Sequence, residues 1–206
     1  GKGTMCDLAE MQLGWTHLST GDLLRAQLQA GGETTALIRQ YIDAGKLVPD
    51  RIVVTMLKDA IETTIRSTGN RNFLIDGFPR SFGNLEVWHE VFGNESDLPK
   101  MIYFECPIEV LTQRILGRAQ YSGRSDDNIE SMRLRFDTFK AETLPIVQHF
   151  KDQGKCIEID TSQDRQAVYA LVRDQLASQT NEEYLARPLS EKAEILLGMR
   201  PYPVKA

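Results

Sequence analysis

The chain has 206 residues, 41% of them hydrophobic, which is enough to bury one sizeable core in a single domain. Its formal net charge of −5 argues against a general nucleic-acid binder, because affinity for a polyphosphate backbone usually requires a net basic face. No stretch approaches the roughly 18 consecutive apolar residues of a membrane span, and no signal-peptide pattern is present, so we expect a cytoplasmic protein without membrane contact. The three widely spaced cysteines lack a CxxC pair, which predicts neither a disulfide framework nor a zinc site.

Short β-rich apolar runs alternate along the chain with longer segments whose apolar residues recur at helical spacing. The short runs predict strands at 15–18, 72–75, 101–104 and 156–159. The helical spacing predicts helices at 21–30, 34–44, 51–68, 107–119, 128–151 and 165–178. This alternation is typical of a mostly buried parallel sheet flanked by helices, so we predict an α/β fold.

The last segment, from about residue 180 onward, differs in kind from the rest of the chain. A helix is predicted with Pro188 in its first turn and one apolar face, made by Leu189, Ala193, Leu196 and Leu197. Gly198 and two later prolines end this helix. The sequence leaves two roles open for the helix and its tail: a strap packed on the domain, or a docking or dimerisation element.

The first four residues, Gly1, Lys2, Gly3 and Thr4, match the end of the phosphate-loop pattern GxxxxGK[ST]. In such a loop, backbone N–H groups hold phosphates, the lysine reaches the β- and γ-phosphates, and the threonine binds Mg²⁺. The glycine-rich half of the pattern is not in the sequence, so this motif alone leaves a chance tetrapeptide open.

A second motif joins a predicted strand to Asp76, Gly77 and a proline-rigid turn that ends at Arg80. Ligands of open α/β sheets bind beyond the carboxyl ends of the strands. Asp76 is therefore placed to hold Mg²⁺ through water, and Arg80 to reach a phosphate. The alternative is that Asp76 only caps the next turn and pairs with Arg80.

A third signal is a group of arginines around the charged stretch 125–128, namely Arg118, Arg124 and Arg135. Phosphoryl transfer depends mainly on positioning and on cations that stabilise the charge of the moving group. Arginines that converge when a loop closes would supply those cations, with Asp126 or Asp127 orienting them. A solvated, charged helix start is the alternative interpretation.

Four segments in combination carry a resemblance to a known family: 18–25 (LSTGDLLR), 45–49 (GKLVP), 73–80 (FLIDGFPR) and 122–128 (SGRSDDN). Over residues 1–178 the chain resembles the adenylate kinase superfamily of the short-lid type, and its UMP-CMP kinases most of all. The resemblance implies a P-loop NTPase-type parallel sheet flanked by helices. It also implies an acceptor-binding insert at 19–48 and a lid at 117–127, with the C-terminal helix and extended tail at 179–206 outside the kinase domain.

The resemblance implies two overlapping groups of residues on the ATP side. Those that contact ATP are Gly1, Lys2, Gly3, Thr4, Arg114, Arg118 and Gln163. Those that act in catalysis are Lys2, Arg80, Arg118, Arg124 and Arg135. Lys2 would follow the transferred phosphoryl group and Arg114 would stack on the adenine. Mg²⁺ is expected to arrive with ATP, contacting Thr4 directly and Asp76 through water.

The resemblance also implies a group of residues that bind the acceptor nucleoside monophosphate. They are Thr20, Arg25, Lys46, Leu47, Val48, Gly77, Phe78, Arg80, Asn84, Arg124 and Arg135. Arg25 and Arg80 match the pair that clamps the acceptor α-phosphate, a bidentate task that suits guanidinium groups. Gly77 and Val48 match backbone positions that face the acceptor.

Two residues point to different acceptors. Asn84 matches the asparagine of UMP-CMP kinases, where adenylate kinases usually have glutamine, and a short amide can read a pyrimidine edge. Thr20 matches the threonine of adenylate kinases, whose hydroxyl could bond an adenine. We predict a kinase of UMP and CMP, with AMP as the alternative acceptor. Asn84 could instead merely cap a helix near Leu85.

Members of the resembled family begin with a central strand and the glycine-rich half of the phosphate loop, both of which would precede Gly1. We therefore expect a fragment of a longer protein, with a gap at the middle of its sheet and weak activity or stability. We expect a monomer whose partners are small nucleotides. A non-catalytic nucleotide-binding scaffold that docks through its tail is the alternative from another class.

Overall fold

The structure is a computed structural model that describes residues 1–93, 98, 100–119 and 128–199, with the backbone alone at 118 and 119. The strands are β1 (Thr16–Ser19), β2 (Phe73–Asp76), β3 (Met101–Glu105) and β4 (Cys156–Asp160). The helices are α1 (Lys2–Leu13), α2 (Thr20–Ala30), α3 (Thr35–Asp43), α4 (Asp50–Thr68), α5 (Phe82–Phe92), α6 (Ile108–Ala119), α7 (Ile129–Thr138), α8 (Leu144–Asp152), α9 (Arg165–Ala177), α10 (Glu182–Leu185) and α11 (Glu191–Leu196). One π-helical turn, Phe139–Thr143, joins α7 to α8 and is called the π-turn below.

All four predicted strands are present within one residue of their predicted ends, and the α/β fold is confirmed. The strands pair in parallel, with Ser19 opposite Asp76 in one pair and Glu105 opposite Asp160 in the other. Among the described residues no strand joins the two pairs. The gap predicted for the sheet therefore separates β1–β2 from β3–β4.

Helix α1 was not predicted, because its apolar residues do not form a single stripe. It contacts α9, α10 and α11 as well as strands β1 and β2, so several of its sides are covered at once. Leu8 and Ala9 are completely buried, and Gln12 is buried beside them. A helix enclosed in this way loses the one-sided pattern from which amphipathic helices are recognised.

Two hydrophobic clusters fix the helices on the strands. The first joins α1 to Ile159 of β4 and to one face of α9, made by Val168, Tyr169, Val172 and Leu176. The second joins Leu18 of β1 to Val54 and Leu57 of α4 and Trp88 of α5. Trp88 is 4% exposed, and its ring centroid lies 5.3 Å from that of Phe78, so its side chain is part of the core.

The predicted C-terminal helix is present but begins later than predicted. Pro188 lies before it, because the Ser190 hydroxyl accepts the Ala193 N–H at 3.2 Å and so caps α11 at Glu191. Ala193 and Leu197 are buried in the cluster built around α1. These contacts favour the strap over a free docking element for residues up to 199.

The predicted helix at 128–151 is interrupted by the π-turn. In an α-helix the residue at 145 would donate its N–H to the carbonyl four residues back, and Pro145 has no N–H. The Leu144 N–H instead donates to the carbonyl of Phe139, five residues back. The hydrogen-bond spacing therefore lengthens from four to five residues just before the proline.

Three kinds of feature are not found in the described part of the chain. None of its helices is both long enough and apolar enough to cross a membrane. Its three cysteines are free and half-buried. No three His, Cys, Asp or Glu side chains gather into a metal-binding group.

Truncating Leu197 to Ala should lower the free energy of unfolding by about 2–4 kcal/mol, because the buried side chain leaves a cavity against α1. Met199→Ala is the matched control: that side chain is 50% exposed, so its loss should cost less than about 0.5 kcal/mol. Urea unfolding of both variants tests this. Equal costs would mean that the end of the chain is not part of the packed domain.

Candidate active site

The candidate site lies where the carboxyl ends of β1 and β2 meet the first turn of α1. Parallel pairing sets Ser19 beside Asp76 at this edge. A Cβ added to Gly3 would lie 3.9 Å from Asp76 Oδ2, so the start of α1 faces this carboxylate directly. Lys2 Nζ is 3.9 Å from Asp76 Oδ1. The phosphate-loop residues and the Asp76 motif, far apart in sequence, are thus brought together.

The N-terminus of α1 is suited to an anion. Gly1 is its N-cap and supplies no side-chain hydrogen bond to the first turn. The first N–H groups of a helix have no intrahelical acceptor, and the helix dipole makes this end positive. With Lys2 at the first helical position, the arrangement fits a phosphate group.

His17 links α1 to Asp76. Its Nδ1 lies 3.0 Å from Asp7 Oδ1, and its backbone N–H donates to Glu10 Oε1 at 3.2 Å. Its Nε2 is buried and 3.8 Å from Asp76 Oδ2, which is an ion-pair distance rather than a hydrogen bond. Asp76 first and Cys6 second raise the pKa of His17 to about 11. The sequence motifs gave His17 no catalytic or binding role.

Asp76 is the counter-charge of the site. Its side chain is 15% exposed, and burial by itself raises the pKa of a carboxyl. The charges of His17, Lys2 and Arg80 outweigh burial, so the pKa of Asp76 lies below its ordinary value. Asp76 is therefore ionised at neutral pH and can face a cation or a metal-bound water.

Lys2 and Arg80 belong to one electrostatic group. Burial, followed by the charges of Arg80 and Arg135, lowers the pKa of Lys2, while Asp76 raises it. The Lys2 side chain is nevertheless 55% exposed, so water moderates both the effect of burial and that of the neighbouring charges. Burial, then Arg135 and Arg25, lowers the pKa of Arg80. An arginine remains protonated in proteins, so these cations repel one another until an anion enters.

Arg80 is held at three points. Its Nε donates to the carbonyl of Gly77 at 2.7 Å, its backbone N–H donates to Asn84 Oδ1 at 2.8 Å, and its carbonyl accepts from Thr143 Oγ1 at 2.9 Å. Three different segments therefore orient one arginine. One of these bonds holds the guanidinium itself, within electrostatic range of Asp76.

Gly77 leaves the space that Arg80 occupies. Its φ is +83°, and a Cβ placed there would lie 2.6 Å from Arg80 Nη2 and 2.9 Å from Thr20 Oγ1. Both the backbone conformation and the close approach require glycine at this position.

The two residues that point to different acceptors are both engaged by protein groups. The Thr20 hydroxyl is 3.1 Å from the carbonyl oxygen of Asp76 and 3.3 Å from that of Gly77. Asn84 is 4% exposed; besides accepting from Arg80, its amide donates to Asp50 Oδ1. Ser81 also donates to Asp50, at 2.8 Å, and caps α5 by accepting the Asn84 N–H. The helix that Asn84 was considered to cap is α5, but its N-cap is Ser81.

The remaining described residues predicted for the acceptor side differ in burial and in their partners. Arg25 pairs with Asp22 three residues earlier in α2. Val48 is buried, while Lys46 is exposed and donates its backbone N–H to Tyr41 at 2.9 Å. Phe78 packs its ring on Trp88. Leu47 is half-buried between Lys46 and Val48.

A hydrogen bond connects Arg114 of α6 to the segment that follows β4 and contains Gln163. Arg114 on α6 donates to the carbonyl of Thr161 at 2.9 Å, and Thr161 is two residues before the exposed Gln163. Arg114, predicted to stack on the adenine, is thus bonded two residues from Gln163, which was predicted to contact ATP. Arg124, Asp126, Asp127 and the side chain of Arg118 lie outside the described residues, so the predicted lid stays a prediction.

Comparison with known proteins agrees with this geometry. A family model described as adenylate kinase matches residues 1–155. The chain belongs to the adenylate kinase family. UMP-CMP kinase 3 of Arabidopsis thaliana is 39% identical over 173 residues, covering 84% of this chain and 82% of that protein. UMP-CMP kinase of Xenopus tropicalis is 39% identical over 176 residues, 84% of this chain and 90% of that protein. UMP-CMP kinase of Homo sapiens is 38% identical over 171 residues, which cover 82% of this chain and 87% of that protein.

The close approach of Arg80 and Thr20 to Gly77 can be tested by comparing two glycine substitutions. Gly154 has a similar φ of +66°, but a Cβ there would meet nothing within 4 Å. We expect Gly154→Ala to cost about 1–2 kcal/mol of unfolding free energy from its backbone alone. Gly77→Ala should cost about 1–3 kcal/mol more, because it also displaces Arg80 and Thr20. Equal losses in urea unfolding would contradict this account.

The raised pKa of His17 predicts a pH-dependent stability. A group that binds its proton more tightly when folded stabilises fully below its unfolded pKa of about 6.5 and loses this contribution as pH rises through the folded value. His17→Gln should therefore lower the unfolding free energy by about 1–3 kcal/mol near pH 6. The difference between wild type and variant should shrink toward pH 10. Urea titrations without nucleotide or Mg²⁺ test this, and a difference that grows with pH would contradict it.

Proposed function

We propose that this chain is a nucleoside monophosphate kinase that transfers the γ-phosphoryl group of ATP to UMP or CMP, giving ADP and UDP or CDP. The observation that carries the proposal is the convergence of Lys2, Asp76 and Arg80 at one sheet edge, beside the positive end of α1. The three relatives compared above, each about 40% identical over more than four fifths of this chain, are named UMP-CMP kinases.

The arrangement supports an in-line transfer between two anionic phosphates. Lys2 and the N–H groups of the first turn of α1 would bind the phosphates of ATP. Arg80, fixed by its three hydrogen bonds, would bind the acceptor α-phosphate together with Arg25, which would first leave Asp22. Arg135 lies within electrostatic range of both Lys2 and Arg80, as a cation between donor and acceptor must.

The residues present also fit the Mg²⁺ that accompanies ATP. Asp76 is ionised and faces the start of α1, and Thr4 lies in that first turn. Thr4 would contact the ion directly and Asp76 through water, as Mg²⁺ retains much of its hydration shell. When bound, the ion would neutralise charge on the β- and γ-phosphates.

Acceptor choice rests on Thr20 and Asn84. A pyrimidine fits the shorter Asn84 amide, which keeps one N–H and one lone pair beyond its bonds to Asp50 and Arg80. The Thr20 hydroxyl already has backbone acceptors within reach, which leaves it less suited to read an adenine.

The experiment is a coupled ADP-release assay with ATP and Mg²⁺ on the full-length protein, comparing CMP, UMP and AMP at equal concentrations. We expect CMP or UMP turnover at least about tenfold above AMP, the discrimination that one hydrogen bond of about 1.4 kcal/mol gives. Arg80→Lys is the matched variant, which keeps the charge but loses the guanidinium fork, and should raise the acceptor KM more than the ATP KM.

Each other outcome has a definite meaning. AMP turnover above both pyrimidines would make the chain an adenylate kinase in activity, with Thr20 the deciding residue. No transfer to any acceptor would refute the kinase assignment.

A further inference from the structure

Two threonines at the ends of the π-turn reach the two acceptor-side loops. Thr138 Oγ1 donates to the carbonyl of Gly45 at 2.8 Å, and Thr143 Oγ1 donates to the carbonyl of Arg80 at 2.9 Å. Gly45 and Arg80 are 35 residues apart in sequence. Both threonines are half-buried, so their hydroxyl groups are partly shielded from competing water.

The π-turn makes this double contact possible. At 3.6 residues per turn, side chains five residues apart in an α-helix point about 140° away from each other. In a π-helix the hydrogen bond joins residues five apart, so such side chains lie nearer to one side. The Leu144 N–H makes this bond to Phe139, and Pro145 prevents the α-helical alternative at the next residue. Thr138 and Thr143 can therefore both face the site.

Gly45 shows how closely the first loop is held. Its φ is +65°, and an added Cβ would lie 2.6 Å from Leu134 Cβ and 3.3 Å from the Leu134 backbone carbon. Gly45, at the start of the segment that continues through Lys46 to Val48, therefore packs directly against α7. The Thr138 bond fixes the carbonyl at this same point.

Arg80 shows how completely the second loop is held. Asn84 accepts its N–H and Thr143 donates to its carbonyl, so side chains from α5 and from the π-turn hold both backbone polar groups. The Asn84 bond comes from the same stretch of chain as Arg80. The Thr143 bond ties Arg80 to an element 63 residues further along the chain.

We propose that Thr138 and Thr143 are positioning residues that set the separation between the acceptor-side loop at 45–48 and the phosphate-binding Arg80. The inference rests on the proposed function. Neither threonine touches the reacting atoms: each acts through a backbone carbonyl, one on either side of the acceptor. A misplacement of about 1 Å in such a frame can cost up to about 100-fold in rate.

The test uses variants that remove or keep the hydroxyl group. Thr143→Val should raise the acceptor KM about 5- to 20-fold, as loss of one hydrogen bond to an oriented loop implies, and leave the ATP KM within about twofold. Thr143→Ser keeps the donor and should restore the acceptor KM. Thr138→Val should act in the same direction. If both threonines hold one frame, the double variant should deviate from the product of the single effects.

Thr112→Val is the matched control. The Thr112 hydroxyl donates at 2.8 Å to Ile108 of its own helix, away from both loops, so its loss should change neither KM. Thermal unfolding of every variant separates positioning from general stability. A merely structural threonine would lower the melting temperature and leave the ratio of the acceptor KM to the ATP KM unchanged.

The outcomes separate this inference from the proposed function. Phosphoryl transfer by wild type with an unchanged KM ratio in Thr143→Val and Thr138→Val overturns the inference alone. A wild type that neither transfers nor binds UMP, CMP or AMP in calorimetry overturns both. If Thr143→Val does not fold, Thr138→Val decides the matter.

Discussion

The ionised carboxylate of Asp76 is the interaction on which the rest of the site depends. Lys2, His17 and Arg80 all lie within electrostatic range of it, and its negative charge offsets their mutual repulsion. Asp76 is the last residue of β2, and parallel pairing with β1 sets it opposite Ser19. The strand pair thus provides the counter-charge, and α1 brings the lysine to it. A polyphosphate with its metal ion would enter a site whose charges are already arranged, which is the condition for electrostatic preorganisation.

This arrangement is supported from outside the site by side chains that sequence motifs do not single out. Asp50, at the start of α4, accepts from Ser81 and Asn84 and so fixes the turn that carries Arg80. Thr143 donates to the carbonyl of Arg80 in the same turn. The Gly77 carbonyl, the Asp50–Asn84 pair of α4 and α5, and Thr143 of the π-turn together orient the arginine. Supporting contacts of this kind determine whether a binding group is held accurately enough for chemistry.

The same network changes how acceptor choice is understood. In the sequence, Asn84 and Thr20 are both candidates to contact a base. In the structure each already forms hydrogen bonds within the protein. Under the proposed function, a base would use the capacity that these bonds leave, one N–H and one lone pair on the Asn84 amide. Selectivity would then belong to a small buried network that includes Asp50, rather than to one side chain.

The sequence by itself determined the strands, most helices and the chemical character of the site. Apolar runs and helical spacing are local signals, and motifs such as residues 73–80 keep their chemistry wherever the chain places them. Helix α1 and the π-turn escaped prediction, the first because it is covered on several sides and the second because one proline alters a hydrogen-bond register. Tertiary structure alone decided which partners each polar group finds: His17 with Asp7 and Asp76, Asn84 with Asp50, and Thr143 with Arg80. Such pairings join residues up to 63 positions apart, and their distances exist only once the intervening helices have packed.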